Sequence, residues 1–580
     1  MSAMSDQTDE RDESADYAEW ERLALGVLRK SGVTEDRPVR ELLSTVDYSG
    51  VPIAPLYTGD DRAPAAGLPG APPFIRGAGD TAGWDIRQRH ADPDAKATRE
   101  AILTDLENGV TSIWLAGIAP GDLAEVLDGV HLNLAPVVLD NGAATEAAVD
   151  AFLALPGDDK RGSFGADPLG WQARTGEPAD LDLLRRLSGK DSDLRIATVD
   201  ATVYHDAGAS DAEELGYAAA TGLAYLRALV GAGLSTGMAL RRLEFRYAAT
   251  ADQFATIAKL RAARRIWARI AQVCDVPHLG AQLQHAVTSD AMMTARDPWV
   301  NMLRTTLACF GAGVGGAAAV TVQPFDARLG LPDGFARRIA RNTQSLLIEE
   351  AGVARVLDPA GGSWFAESLT DALAHAAWDV FTEVERAGGM AAALRGGLVA
   401  DRIEATWQRR AENIAHRRDP ITGVSEFPHL EERRPQRAPA PPPPTGGLPR
   451  RWYSERFELL RDAAEAAGTP TVPLVTLGPP AAHSARASFA ANLFAAGGIR
   501  TVHSGPEAVT GGVACICGSD RSYADDAAAT AVQLKRQGVS RVWLAGKPAG
   551  YEGVDAYLFA GCDALDVLRQ THQDLGVVAL

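Results

Sequence analysis

The sequence has few of the features that mark secreted, membrane-bound or nucleic-acid-binding proteins. Only 5 of its 580 residues are cysteine and 6% are aromatic. It has no long lysine and arginine cluster, and its formal net charge of −18 argues against nucleic acid or an anionic membrane surface as a partner. No uncharged apolar run is long and hydrophobic enough to span a bilayer, and the N-terminus lacks the pattern of a signal peptide. We therefore expect a soluble, cytoplasmic protein.

The cysteines do not form a recognisable metal or disulfide pattern. Only Cys515 and Cys517 are closely spaced, and on a strand both would lie on one face. No second pair and no histidine cluster completes a zinc site. Buried free thiols are the expected state, and no metal ligands are assigned.

Aliphatic and small residues are abundant, and a chain of this length should form two or three domains. Residues 1–15 are acidic and polar and are predicted to be disordered. Tyr17 to Lys30 has the spacing of an amphipathic helix. The following segment, Val46 to Asp60, reads as an extended arm with little core of its own. The predicted N-terminal region, 1–60, should pack on its own barrel or on a partner.

From Trp84 onwards, short β-rich runs alternate with amphipathic helices. Eight such units predict a (β/α)8 TIM barrel over residues 61–427. The candidate strands are Trp84–Gln88, Ser112–Ala116, Pro136–Leu139, Arg195–Val199, Arg242–Phe245, Gly280–Gln284, Ala317–Val322 and Ala354–Leu357.

A proline-rich stretch separates this region from a second α/β segment. Residues 428–451 include Pro439, Pro441 to Pro444 and Pro449, a composition typical of a semi-rigid linker. Strands at Val472–Leu477, Val513–Cys517 and Val542–Ala545 then alternate with helices. This layout predicts a doubly wound, flavodoxin-like domain over residues 452–580.

Six collinear segments resemble those of the methylmalonyl-CoA mutase family. They are Trp84–Gln88, Tyr204–Ala209, Ile257–Trp267, Ala340–Gln344, Asp358–Ser363 and Gly388–Met390. The resemblance covers nearly the whole chain after the N-terminal arm. It implies that the C-terminal domain is of the cobalamin-binding type and that the parent enzyme uses adenosylcobalamin.

The cofactor loop departs from the family's pattern. In the catalytic chains a D-x-H-x-x-G loop follows the first strand of the C-terminal domain, and the resemblance implies that its His ligates cobalt while its Asp orients that His. Here Thr476, Pro480 and Ala482 stand where the family has Lys, Asp and His. His483 lies one residue further on, without a carboxylate two residues before it. The loop is degenerate, and no cofactor is expected on this chain.

The barrel departs from the family's pattern in the same direction. Gly165 and Thr175 stand where the family has a Gln and an Arg that hold the acyl group and its carboxylate. Arg174 is adjacent, but a one-residue slip on a strand would turn it the other way. Further polar groups are lost at Val287, Ala318 and Thr321 and in the loop 76–83.

Tyr204 and His205 are the catalytic-type residues that remain. In the family the His hydrogen-bonds the thioester carbonyl, so these two residues are vestigial candidates for an acyl-CoA pocket. The competing interpretation, which we favour, is a His kept for packing or a local hydrogen bond, because an acid or electrophile needs its partners in place.

The resemblance and the departures together imply a structural, non-catalytic small subunit of a heterodimeric mutase. The large subunit would carry adenosylcobalamin and interconvert (R)-methylmalonyl-CoA and succinyl-CoA in propionate metabolism. One alternative is a variant mutase, active on its own, that binds cobalamin through His483. A third is a regulatory module that recruits a G-protein chaperone of the mutase or senses CoA. The N-terminal helix and arm are the candidate dimer contact.

Overall fold

The computed structural model describes residues 13–79, 83–157, 159–190 and 192–578. It contains an N-terminal helical segment, a closed barrel with an outer helical layer, and a smaller five-stranded domain. Most of residues 1–15, for which we predict disorder, fall outside the described residues. In the described part of the chain, no helix is both long and apolar enough to cross a membrane.

Eight parallel strands close into a barrel in the order β10-β3-β4-β5-β6-β7-β8-β9, which confirms the predicted TIM barrel. Both faces of these strands are buried, as expected for parallel strands covered by helices. The strands are β3 Asp85–His90, β4 Ser112–Ala116, β5 Val137–Asp140, β6 Gly162–Ala166, β7 Arg195–Asp200, β8 Leu243–Ala249, β9 Gln284–Thr288 and β10 Ala319–Thr321.

Helices form a ring around the barrel, and a second helical layer lies outside part of that ring. The first helices are α1 Glu13–Lys30, α2 Val39–Leu43, α3 Ala95–Glu107, α4 Leu123–Val126, α5 Thr145–Leu153, α6 Pro168–Thr175, α7 Asp182–Ser188 and α8 Thr202–Asp206. The others are α9 Asp211–Gly231, α10 Thr236–Arg241, α11 Gln253–Val273, α12 Asn301–Val314, α13 Gly334–Ser345, α14 Trp364–Arg386, α15 Met390–Arg395 and α16 Leu398–Ala415. Helix α14 crosses the outer faces of α9 and α11 and buries them.

The predicted barrel strands and the observed ones differ in three places. Strand β6 was not predicted, because its sequence Gly-Ser-Phe-Gly-Ala has no β-branched residue. Ala354–Leu357 was predicted as a strand but lies at a 3-10 turn, Val353–Arg355, outside the barrel. Ahead of β9, the predicted strand Gly280–Gln284 overlaps only at its last residue, because another 3-10 turn ends at Leu279.

The arm after α2 packs on the chain's own barrel. A small antiparallel pair, β1 Thr45–Val46 and β2 Pro52–Ile53, forms within it. Val51 is buried against Ala258 and Leu369, and the ring centroids of Tyr57 and Phe365 lie 5.0 Å apart. The arm is therefore part of the barrel's own structure.

The C-terminal domain has a parallel sheet in the order β12-β11-β13-β14-β15, which is the flavodoxin-like order 2-1-3-4-5. Its strands are β11 Thr471–Thr476, β12 Arg500–Ser504, β13 Val513–Cys517, β14 Arg541–Ala545 and β15 Ala556–Leu558, and its helices are α17 Glu455–Ala466, α18 Pro480–Ala496, α19 Asp520–Ser522, α20 Ala528–Arg536 and α21 Ala564–Asp574.

An ionic cluster around the buried guanidinium of Arg296 joins this domain to the barrel. The guanidinium of Arg296, in the loop after β9, pairs with Asp462 and Glu465 on α17 and with Glu432 of the proline-rich segment. Glu458 of α17 accepts a hydrogen bond of 3.1 Å from the backbone N–H of Arg296. These ion pairs and this hydrogen bond therefore attach helix α17 to the loop after β9.

Candidate functional site at the barrel mouth

The interior of the barrel is filled by charged and aromatic side chains. Trp114 on β4 lies across the lumen from Arg246 on β8, whose guanidinium sits 3.9 Å from the indole ring centre. Strands β4 and β8 are on opposite sides of the barrel, so this contact spans it. Below this level, Arg87 on β3 pairs with Glu244 on β8, and both are buried. Arg87, Trp114, Glu244 and Arg246 thus occupy the lumen at these two levels.

The lumen charges are paired in a way that fixes their ionisation. The guanidinium of Arg246 lies 2.9 Å from Asp200 and 3.2 Å from Asp140. Burial would raise the pKa of Asp200, but Arg246 and Arg174 outweigh it and lower that pKa to about 2. Burial also opposes ionisation of Glu244, yet its pKa is lowered, chiefly by Arg87. The lumen carboxylates Asp200 and Glu244 are thus ionised at neutral pH.

A neutral histidine completes the lumen network. Burial lowers the pKa of His285 well below its ordinary value, with Arg87 and Arg246 adding to the effect. Arg246 Nε donates to His285 Nδ1 at 3.3 Å, so His285 Nε2 carries the proton and donates to Thr321 Oγ1 at 2.8 Å. The Thr321 hydroxyl donates onward to the carbonyl of Arg87. Every member of this chain already has a protein partner.

Tyr204 and His205 lie together on α8, immediately after β7, and both are buried. His205 Nε2 is 2.7 Å from Ser289 Oγ, and His205 Nδ1 is 3.5 Å from Glu214 Oε2. A Ser-His-Glu arrangement of this kind can activate a hydroxyl. Here all three side chains are less than 5% exposed, so the arrangement lacks the access that a nucleophile needs.

The carboxylates beside His205 already hold a cation. His205, Asp211 and Glu214 are close enough together to form a metal site. The ammonium of Lys259 lies 2.9 Å from Asp211 and 2.8 Å from Glu214. Although burial opposes it, these two carboxylates raise the pKa of Lys259 above its ordinary value. The cluster is an internal ion pair built around a lysine, not a vacant ligand set.

Gly165, which stands where the family resemblance places a Gln, is required by the backbone. Gly165 on β6 has φ +64, and a Cβ at this position would lie 1.7 Å from the carbonyl oxygen of Leu139. Only glycine fits this conformation. Thr175 and Arg174 lie on helix α6 and not, as we had expected, on a strand; Arg174 bonds Asp200 at 2.6 Å.

A segment of the proline-rich stretch lies across the mouth of the barrel. We call residues 446–453 the strap. Its backbone N–H groups donate to four carbonyls in the segments that follow barrel strands: those of Ala173 and Arg174 on α6, Asp206 on α8 and Ala291. Its Arg450 and Trp452 both contact Asp290, at 2.8 Å each. The strap thereby bridges the loops that follow β6, β7 and β9.

The corresponding edge of the C-terminal domain is closed by a helix. The segment after β11 was expected to be a loop, but α18 begins at Pro480, directly after Pro479. Pro480, Ala482 and His483 therefore occupy its first turn. Arg486 of α18 reaches across to the carbonyl of Gly518, after β13, at 2.8 Å. This crossing lies at the point between β11 and β13 where doubly wound sheets bind ligands.

The residues at this edge do not fit a cobalt-ligating site. The His483 ring centre lies 6.2 Å from that of His503, and within the described chain His483 Nδ1 has no hydrogen-bond partner. No described carboxylate fixes its tautomer, as a metal-ligating His requires. Ala482 offers only a methyl group. We therefore derive no step of cobalamin chemistry from this chain.

The comparisons with known proteins agree with the fold. A family model described as methylmalonyl-CoA mutase matches residues 182–443. The methylmalonyl-CoA mutase small subunit of Streptomyces virginiae is 55% identical over 97% of both chains. The chain belongs to the methylmalonyl-CoA mutase family.

Two further relatives show how the similarity is distributed within the family. The methylmalonyl-CoA mutase small subunit of Propionibacterium freudenreichii subsp. shermanii is 40% identical over 96% of this chain and 94% of its own length. A Rhizobium meliloti protein named methylmalonyl-CoA mutase is 30% identical over 72% of this chain and 64% of its own length. The Streptomyces and Propionibacterium small subunits are thus more similar to this chain, and over more of their length, than the Rhizobium mutase is.

The lumen network was not predicted, although the sequence contains a signal for it. Glu244 and Arg246 alternate within an otherwise apolar strand, which places both side chains on one face. Charges facing inward on a parallel strand must be paired. That reasoning predicts partners on facing strands, but it does not say which ones.

Proposed function

We propose that this chain is the non-catalytic small subunit of an adenosylcobalamin-dependent methylmalonyl-CoA mutase and pairs with a larger, catalytic subunit. The cofactor would be bound by that partner, and the cytoplasmic heterodimer would interconvert (R)-methylmalonyl-CoA and succinyl-CoA in propionate metabolism. When bound, the cofactor supplies the radical that starts the rearrangement. This chain would contribute structure and no reacting group.

The observation that carries the proposal is that both ligand-binding edges are filled by the chain itself. In the barrel, Trp114, Arg246 and His285 occupy the lumen. In the C-terminal domain, α18 and Arg486 occupy the edge between β11 and β13. A radical enzyme needs an enclosed space for substrate and cofactor, and these side chains lie where the two folds would otherwise provide it. Tyr204 and His205 would then serve packing and the hydrogen bond to Ser289.

Cobalamin binding and activity of the separate chains test the proposal. We expect the purified chain to hold no cobalamin by its visible spectrum and to have no mutase activity, alone or with added cofactor. Co-expressed with the large subunit, it should co-purify in a 1:1 complex. Stoichiometric cobalamin on the isolated chain, lost on changing His483 to Ala, would establish the alternative of a mutase active on its own.

The N-terminal helix is the part of the N-terminal region most available to a partner. Leu23 and Val27 of α1 are 56% and 63% exposed, whereas the arm after α2 packs on the barrel. Removing residues 1–60 would uncover Ala258 and Leu369 as well. Deleting residues 1–30 alone is the cleaner test, and we expect it to weaken the heterodimer without lowering the thermal stability of the isolated chain.

A further inference from the structure

The outer face of α12 carries an uncharged, solvent-exposed stripe. Trp299, which directly precedes the helix, Leu303 and Leu307 follow one another at four-residue intervals, the spacing of one helix face. Their exposed fractions are 45%, 67% and 44%. Trp299 stacks on the buried ring of Phe325 at 4.6 Å, and Phe335, which is 43% exposed, meets the same ring at 6.1 Å. We call these four exposed residues, Trp299, Leu303, Leu307 and Phe335, the α12 patch.

The opposite face of α12 is also apolar. Ala308, Cys309 and Ala312 are buried against the barrel. The single charged residue of the helix, Arg304, turns away from the patch, because its guanidinium bonds the Asn301 side chain at 2.7 Å and the carbonyl of Thr422 at 2.5 Å. A surface helix normally presents charged or polar residues on the face opposite its buried face, whereas α12 presents Leu303 and Leu307 there.

The neighbouring helices show what such a face requires. The outer faces of helices α9 and α11 are covered by α14, and on α11 this cover includes the ion pair of Arg265 with Asp371 of α14. The fit is close, since a Cβ added at Gly216 of α9 would come within 2.7 Å of Val380 of α14. Helix α12 lies beside α11 in the ring, but α14 does not extend over it within the described residues. The outer helical layer thus covers α9 and α11 but leaves the α12 patch exposed.

We propose that the α12 patch is covered in the assembled enzyme by the large subunit of the mutase, docking through an apolar segment. This inference rests on the proposed function. A specific interface of ordinary size buries about 800 Å² on each partner, with an apolar centre and a polar rim. The patch supplies such a centre, and Arg338, over the ring of Phe335 at 5.3 Å, lies at its edge.

A second copy of this chain is a less suitable occupant. The formal net charge is −18, so two copies repel one another at neutral pH. A different chain can carry a complementary charge around the patch. The relatives' designation as small subunits also indicates assembly with a larger chain.

The test replaces the centre of the patch with charge. The double variant Leu303→Asp, Leu307→Asp should fold as a monomer, with an unchanged circular dichroism spectrum, and should bind the large subunit at least 100-fold more weakly by sedimentation velocity. The matched control is Leu134→Asp, because Leu134 is 70% exposed in the loop before β5, on the far side of the barrel. The control should bind like the unmodified chain.

A labelling experiment keeps the inference testable if the double variant misfolds. Leu303→Cys should react with a maleimide dye in the isolated chain and be protected at least tenfold in the complex. Complex formation or labelling that does not respond to these changes would refute the docking site. So would a patch-dependent homodimer, because the occupant would then be a second copy. If the unmodified chains do not associate at all, the proposed function fails, whatever the variants do.

Discussion

At the carboxyl edge of the barrel, charged side chains from several strands meet in buried ion pairs, whereas the same edge of the five-stranded sheet is built from glycine, proline and alanine. Arg246 and Asp200 illustrate the first arrangement, and Gly478, Pro480 and Ala482 the second. Both edges lie where α/β folds place their ligands. The barrel edge is closed by buried interactions that depend on one another, while the second edge is closed by helix α18 and by the exposed ion pair of Arg486 with Asp520. Changes at the barrel edge should therefore cost much more stability.

The largest expected effect comes from breaking a buried lumen pair. Glu244→Ala removes the partner of Arg87, and both side chains are buried. Leaving a buried charge unpaired costs about 3–5 kcal/mol. Urea denaturation followed by circular dichroism should show this loss of unfolding free energy for the barrel. A loss below about 1 kcal/mol would mean that even this buried pair, which lies beneath the carboxyl edge of the barrel, contributes no more than an exposed one.

The second-largest loss of stability is expected when a glycine at one of the two edges is replaced by alanine. Gly165→Ala should destabilise by about 3 kcal/mol, because its Cβ would collide with the carbonyl of Leu139. The control is Gly478→Ala at the other edge, where φ is +77 but the nearest atoms, at 3.2 and 3.4 Å, belong to side chains. This control should lose only about 1 kcal/mol. Equal melting temperatures for the two variants would contradict the comparison.

The third effect is a pH-dependent weakening at the strap. Burial, and then the neighbouring Asp290, raise the pKa of Asp206 well above its ordinary value, and Arg450 opposes this. A raised folded-state pKa gives stability that is lost as the pH rises through it. Arg450 also forms an ion pair with Asp290, so some loss is expected at every pH. Arg450→Ala should cost more stability as the pH rises and Asp206 ionises. Scanning calorimetry over a series of pH values tests this, and a loss independent of pH would show that Arg450 does not act through the ionisation of Asp206.

The smallest effect is expected at the edge of the C-terminal domain. Arg486→Ala removes the ion pair with Asp520 at 2.5 Å, but the Asp520 side chain is almost fully exposed. Such pairs contribute less than about 1 kcal/mol. The melting temperature should fall by less in Arg486→Ala than in Glu244→Ala. A comparable fall would mean that the exposed pair of the C-terminal domain contributes as much stability as the buried pair of the barrel.

The fold could be predicted largely from the sequence, and the reason lies in strand composition. Strands such as β5, with Val137, Val138 and Leu139, are apolar runs typical of a buried parallel sheet. Strand β6 could not be found in this way, since its glycines are there for close backbone contact and not for strand propensity. Ala354–Leu357 has the composition of a strand, but it follows the barrel's eighth strand, so no position remained for it.

The candidate site could be predicted only in part. The absence of a cofactor-loop carboxylate and His at Pro480 and Ala482 can be seen in the sequence. That Pro480 starts a helix is also consistent with sequence rules, because proline is favoured in the first turn, but we expected a loop there. The contacts of Trp114 with Arg246 and His285 depend on which strands face each other across the barrel. Those contacts follow from barrel closure, which no local pattern encodes.

The contacts of the strap affect how readily a protease can cleave the chain between its two domains. Proline-rich connections between domains are usual sites of cleavage, but here the backbone is anchored on both sides. Leu331 donates to the carbonyl of Ala438, and the strap is bonded to the barrel from Gly447 onwards. Only the short exposed stretch 439–445 lies between the two anchors, and four of its residues are consecutive prolines. A protease that binds an extended backbone would find few cleavable bonds there. The two domains should therefore survive limited digestion as one piece.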